Sequence, residues 1–211
     1  MKKYITEFIG TFFLVTVVGL TAVASPGAGP FAPIAIGATL MVMIYAGGHI
    51  SGAHYNPAVT LAVFVRGKIN ISDAVTYVIA QIGGALMAWA IVSFIFEGSA
   101  AIPSNGVESI PKALAGEFLG TFALAYVVLN TATAKGTDGN SFYGLAIGFT
   151  VVVSAYAFGS FSGGAFNPAV AIGATMLKAM TWADSWIYLA GCLGGGLLAG
   201  IVFKMNNPDD K

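Results

Sequence analysis

The chain is 211 residues long, 57% apolar and only 9% charged, with nine basic residues balanced by nine acidic ones and a mean hydropathy of +0.83. Soluble domains carry about a quarter charged residues, so there is too little polar side chain to cover a water-exposed globule, and no basic excess to neutralise nucleic-acid phosphates. A single cysteine, Cys192, excludes a disulfide framework or a cysteine metal cluster, and two histidines, His49 and His54, are too few for a histidine metal site; what remains is an integral membrane protein.

A helix needs about 20 apolar residues to cross a bilayer core of about 30 Å. The first such stretch is 5–24. Lys2 and Lys3 ahead of it and Ala22-Val23-Ala24 at its end imitate a secretory signal with a cleavage site. Glu7 early in the run, and recurrence of the same pattern around Glu117, argue for a retained span instead. The second stretch is 33–48. After it, Ser51-Gly52-Ala53-His54 leads into Asn56-Pro57-Ala58 and a run at 57–65 that is too short to cross. At 1.5 Å per residue it reaches about halfway through the core, so it reads as a half-helix. Spans at 74–96, 113–133 and 143–160 follow. Ser162-Gly163-Gly164-Ala165 then precedes Asn167-Pro168-Ala169 and a second half-helix at 168–177, and 184–204 closes the series. Cys192 in that last span reads as a small packing residue. Gly116/Gly120, Gly144/Gly148, Gly191/Gly195 and Gly196/Gly200 have the spacing of close helix contacts. The predicted fold is all-α: six transmembrane helices plus two re-entrant half-helices in one membrane domain, 1–211.

Lys and Arg in short loops set orientation. With both termini inside, Lys2, Lys3, Arg66, Lys68, Lys135, Lys204 and Lys211 are cytoplasmic, and only Lys112 and Lys178 are external. Short loops and tails point to a prokaryotic inner (plasma) membrane.

The chain is one unit written twice. Residues 7–18 shifted by 110 match 117–128 at eight of twelve positions, among them Glu7/Glu117, Gly10/Gly120 and Thr11/Thr121. Residues 35–59 shifted by 111 match at fourteen of 25, ending on Asn56-Pro57-Ala58-Val59 against Asn167-Pro168-Ala169-Val170; Tyr77, Gly83 and Gly84 recur as Tyr188, Gly194 and Gly195. The copies cover approximately 1–98 and 111–206. Each holds three full spans, an odd number, so the second enters from the opposite face, as in inverted-repeat transport proteins. The half-helices then approach the midplane from opposite sides.

Proline at the first helical position loses nothing, because its missing N–H has no partner there in any case. Asparagine before it is a favoured N-cap whose side-chain oxygen accepts a first-turn N–H. Its NH₂ is left as a donor aimed out of the helix end. Two such ends apposed present Asn56 and Asn167 to one point, backed by positive helix-dipole ends that repel cations and welcome an oxygen lone pair. Passing water must accept from both asparagines, which breaks a donor chain that could relay protons. Gly52-Ala53-His54 and Gly163-Gly164-Ala165 can unwind and turn carbonyls towards a pore as a ladder of acceptors. Glu7 and Glu117 are carboxylates at membrane depth and need donors. Loop amides are the natural ones, which makes the two glutamates braces; a proton relay would want titrating neighbours that the sequence lacks. His54 reads as a hydrogen-bonded loop histidine, with a ligand or pH-sensing role as the alternative.

These segments resemble the aquaporin, or major intrinsic protein, family over nearly the whole chain. The signature stands here as His49-Ile50-Ser51-Gly52-Ala53-His54-Tyr55-Asn56-Pro57-Ala58-Val59-Thr60 and Gly163-Gly164-Ala165-Phe166-Asn167-Pro168-Ala169. Glu7, Glu117, Tyr77 and Gln81 fit the family pattern as well. The resemblance implies a right-handed bundle, a pore in each subunit and a homotetramer. It also implies a filter near the outer mouth, which falls here on Ile36, Ala155, Gly164 and Val170. Family members usually carry arginine where this chain has Val170, and its only arginine is Arg66. Ala171 stands where glycerol facilitators often have aspartate.

Removing a guanidinium takes away several donors and a full charge. The filter is then expected to be wider and more apolar than that of a strict water channel. Either larger neutral solutes of the glycerol, urea and ammonia class pass, or the apolar ring dewets and slows water, particularly if Phe158, Phe161 or Phe166 turns inward. The function expected is a passive channel for water and small uncharged solutes. The alternatives are a poorly conducting structural protein on the same fold, or a channel with some ion leak. No activated nucleophile, carboxylate pair or phosphate loop is present, so no enzyme, metal or cofactor is expected, and the partners are neutral solutes, water and lipid.

Overall fold

In the computed structural model the residues described are 1–23, 27–96 and 106–210. Residue 24 of the cleavage-like triplet and residue 98, the expected edge of the first repeat, lie outside them. Among the described residues there are eight α-helices. They are α1 (Lys2–Val18), α2 (Ala32–Ser51), α3 (Pro57–Arg66), α4 (Ile71–Ile95), α5 (Ile110–Val128), α6 (Tyr143–Ser162), α7 (Pro168–Met176) and α8 (Ser185–Asn206). A π-helical turn continues α1 over Gly19–Val23, and another continues α5 over Leu129–Thr133. Six segments are long and apolar enough to cross a membrane. The short helices α3 and α7 fall where half-helices were expected.

The spans run longer than their apolar runs because caps, not polarity, end helices. α2 continues through His49-Ile50-Ser51 to Gly52, whose φ of 85° breaks the right-handed winding. α4 starts at Ile71 because the Asn70 side chain accepts the N–H of Asp73 at 2.8 Å, so the polar Ser72 and Asp73 form its first turn.

Packing follows the internal repeat. α1 lies along α4 as α5 lies along α8, α1 meets α2 as α5 meets α6, and α3 rests on α8 as α7 rests on α4. α2 and α6 pack against each other between the two halves. A Cβ on Gly37 would stand 2.5 Å from the Gly148 carbonyl oxygen, and one on Gly148 equally close to that of Gly37, so only glycine allows this crossing. The small-residue pairs seen in the sequence sit at such contacts: Gly191 against Glu117 and Leu114, Gly195 against Phe118, and Gly200 against Val65.

Candidate functional site

Asn56 caps α3 from extended backbone, and its Oδ1 accepts the Ala58 N–H at 2.8 Å. Asn167 does the same for α7, accepting from Ala169 at 2.9 Å. Their amides are not both left free, as the sequence reading has them. Nδ2 of Asn56 donates to the Phe166 carbonyl and Nδ2 of Asn167 to the Tyr55 carbonyl, each at 2.9 Å. The two half-helix tips are therefore cross-bonded. An amide NH₂ has two hydrogens, so one on each asparagine remains for the cavity that both line.

The loops ahead of the asparagines are held by the two glutamates. Glu7 Oε1 accepts from Ser51 Oγ (2.7 Å) and the His54 N–H (2.9 Å), and Oε2 from the Tyr55 N–H (2.7 Å) and Gln81 Nε2 (2.8 Å). Glu117 Oε1 accepts from Ser162 Oγ (2.6 Å) and the Ala165 N–H (2.9 Å), and Oε2 from the Phe166 N–H (2.7 Å) and Cys192 Sγ (3.3 Å). Both carboxylates are fully buried. These bonds hold backbone that L-residues avoid: Ala53, Tyr55 and Phe166 have φ of 51°, 49° and 48°, a conformation costing about 1–2 kcal/mol per residue. The hydroxyls of Tyr77 and Tyr188 bond the Ser51 and Ser162 carbonyls at 2.7 and 2.6 Å.

Around the two glutamates, three polar side chains of the first half have no like counterpart in the second. His54 Nδ1 lies 3.1 Å from Thr60 Oγ1, which also accepts from Gln81 at 3.0 Å. The equivalent positions in the second half are Ala165, Ala171 and Cys192. Cys192 is thus more than a packing residue: it donates to Glu117 from the place Gln81 takes beside Glu7. The repeat offset that pairs Tyr77 with Tyr188 was the signal for it, and also for the tyrosines as loop anchors.

One cavity of about 180 Å³ touches both asparagines and all four expected filter positions, Ile36, Ala155, Gly164 and Val170. Ala53, His54, Gly163 and Ala165 line it too. Gly52 does not, and instead borders a separate depression with His49, Lys68 and the 131–140 segment. His54, Asn56 and Asn167 are the lining residues that bring polar side-chain groups; the phenol of Tyr55 is turned away to the Met43 carbonyl at 3.0 Å. Val18, Val23, Leu40, Val128, Ile147 and Met180 complete much of the wall. Of the three phenylalanines, only Phe166 borders the cavity. Phe158 lies beside Gly116 and Phe161 is 44% exposed on the outer face.

Arg66, expected as a loop charge, is only 4% exposed at the end of α3. It donates to Thr133 Oγ1 (3.1 Å) and O (3.2 Å) and to Asp210 O (2.8 Å) and Oδ1 (2.7 Å), and it stacks 4.6 Å from the Phe203 ring centroid. Among the described residues no group of three or more His, Cys, Asp or Glu is placed to hold a metal.

A family model described as "Major intrinsic protein" matches residues 1–203. Aquaporin TIP1-1 of Arabidopsis thaliana is 34% identical over 97% of this chain and 86% of its own. Glycerol uptake facilitator protein-like 6 of Lactiplantibacillus plantarum is 35% identical over the full length of both. The X-ray structure of the aquaglyceroporin from Plasmodium falciparum superposes with a TM-score of 0.78 over 98% of this chain and 97% of that one; at 22% identity it speaks for the fold alone.

Proposed function

Because the chain belongs to the major intrinsic protein family, we propose that it is a passive, bidirectional channel for water and small uncharged solutes. The solutes are of the glycerol, urea and ammonia class, and they pass a filter wider and more apolar than that of a strict water channel. The observation that carries this reading is the shared cavity: two cross-bonded half-helix tips and the four filter positions border one space. At its centre, one free amide hydrogen on each asparagine and two helix N-termini offer donors to an oxygen lone pair and oppose a cation. Towards Ile36, Ala155, Gly164 and Val170 the side chains offer no donor. Backbone carbonyls of Ala53, His54, Gly163, Gly164 and Ala165 supply acceptors for the solute's own hydrogens.

In this reading the protein is a multi-pass membrane protein of two inverted repeats, approximately 1–98 and 111–206, with both termini cytoplasmic in a plasma membrane. The seven-to-two loop charge bias supports that orientation, and family membership supports a homotetramer with a pore in each subunit. Glu7 and Glu117 act as braces with no part in proton transfer.

Stopped-flow light scattering on proteoliposomes, with water, glycerol, urea and ammonia compared on one preparation, tests it. Protein-dependent flux of water and at least one neutral solute down its gradient is expected. Correctly inserted protein without any flux, or accumulation against a gradient, overturns the reading.

A further inference from the structure

α7 ends at Met176, and the chain turns back at once. Lys178 N donates to the Thr175 carbonyl (3.0 Å) and Ala179 N to the Ala174 carbonyl (2.9 Å). Lys178 itself sits at φ 65°, a left-handed conformation unfavourable for a lysine, where the corresponding turn after α3 uses Gly67 at φ 90°. The turn is thus held in a definite shape by its surroundings. It carries Ala179 and Met180 back onto the central cavity, which they line beside Gly163, Gly164 and Val170. Met180 is 8% exposed, and its Cε lies 3.3 Å from where a Cβ on Gly163 would stand. Gly163 ends α6 at φ 91° and is the neighbour of the filter residue Gly164. The methionine tip therefore rests against the backbone that forms one wall of the filter.

We infer that Met180 is a fifth filter side chain, which with Ile36, Ala155, Gly164 and Val170 sets how large and how polar a neutral solute can pass. The inference rests on the channel reading above and deepens it. A thioether on an unbranched chain adapts its shape to an irregular gap and presents polarizable surface without a donor. A small solute with an apolar side is accommodated against it, whereas a fully hydroxylated one turns a hydroxyl to a wall that replaces none of its water, the acceptors being backbone carbonyls elsewhere around the cavity. The filter consequently favours propylene glycol over glycerol, which differ by one hydroxyl.

The test measures water, glycerol and propylene glycol permeability in proteoliposomes of wild type, Met180→Ala, Met180→Phe and Met180→Gln. Ile79→Ala on the outer surface of α4 serves as the control; Ile79 is 65% exposed and does not line the cavity. Met180→Ala is expected to raise the glycerol-to-water ratio on the order of tenfold, the size of effect that a few atoms of pocket space produce, and Met180→Phe to lower it. Met180→Gln keeps the length but adds polar groups, and moves the preference from propylene glycol towards glycerol. Should one variant fail to insert, the other two still decide the direction. Ratios unchanged across the variants, with all fluxes scaled together, overturn the assignment of Met180 and leave the channel intact. A wild type that conducts nothing overturns the channel reading itself.

Discussion

At the scale of single residues, the two buried glutamates hold the loops in shape. Each accepts four hydrogen bonds, two of them from loop N–H groups that would otherwise be stranded. A buried donor without a partner costs about 1–3 kcal/mol, so truncating Glu7 removes support from a loop that already holds Ala53 and Tyr55 at positive φ. Glu7→Ala is expected to lower the melting temperature in detergent well below that of Cys192→Ala. The thiol is a weak donor and supplies only a single bond, at 3.3 Å. Equal losses from the two substitutions would contradict the bracing role. That Glu7 and Glu117 needed donors was legible from carboxylates in an apolar run, and their recurrence pointed to the same donors twice. The repeat offset places Cys192 opposite Gln81, but a cysteine in an apolar helix is ordinarily packing. Its distance to Glu117 shows that it also takes over the donor role of Gln81.

At the scale of elements, the π-helical turn after α5 and the C-terminal tail are tied to α3 by one buried cation. Arg66 bonds Thr133 and Asp210 together, and Asp210 Oδ2 also accepts the Lys135 N–H at 2.8 Å. The Asp210 carboxyl is held below its ordinary pKa, chiefly by that backbone N–H and further by the Arg66 guanidinium. A group depressed on folding contributes above its unfolded pKa and loses that contribution as pH falls through the folded value. The clamp is therefore expected to hold at neutral pH and to release only in acid, below about pH 4. Hydrogen–deuterium exchange over 129–143 should rise in that window for the wild type. In Asp210→Asn it should already be raised at pH 7, with little further change in acid; a variant indistinguishable from wild type would count against the clamp. The counterpart of Arg66 in the second repeat is Leu177, which packs on Gly19 of the other π-helical turn. Sequence duplication predicted alike elements, and the structure shows that their ends are secured by different chemistry.

At the scale of the whole molecule, the four residues expected to form the filter come to one cavity from separate pieces of chain: Ile36 from α2, Ala155 from α6, Gly164 from the loop before Asn167 and Val170 from α7. Val170→Arg adds a bulky cation with several donors to that ring. It is expected to depress glycerol and urea flux more than water flux in the same vesicles; equal reduction of all three would refute the filter assignment. The membrane class, the number of spans, the two half-helices and the duplicated asparagine caps were determined by sequence alone. Each follows from local chemistry: the length of an apolar run, a proline at a helix start, a capping amide beside it. Three features were decided only by tertiary structure: the cross-bonding of Asn56 and Asn167 to the opposite loops, the burial of Arg66 on the tail, and the return of Met180 to the cavity. Each joins groups whose partner is chosen by where helices pack, and the approach of those helices is in turn set by close contacts such as that of Gly37 with Gly148, where a Cβ would stand 2.5 Å from the opposite carbonyl oxygen.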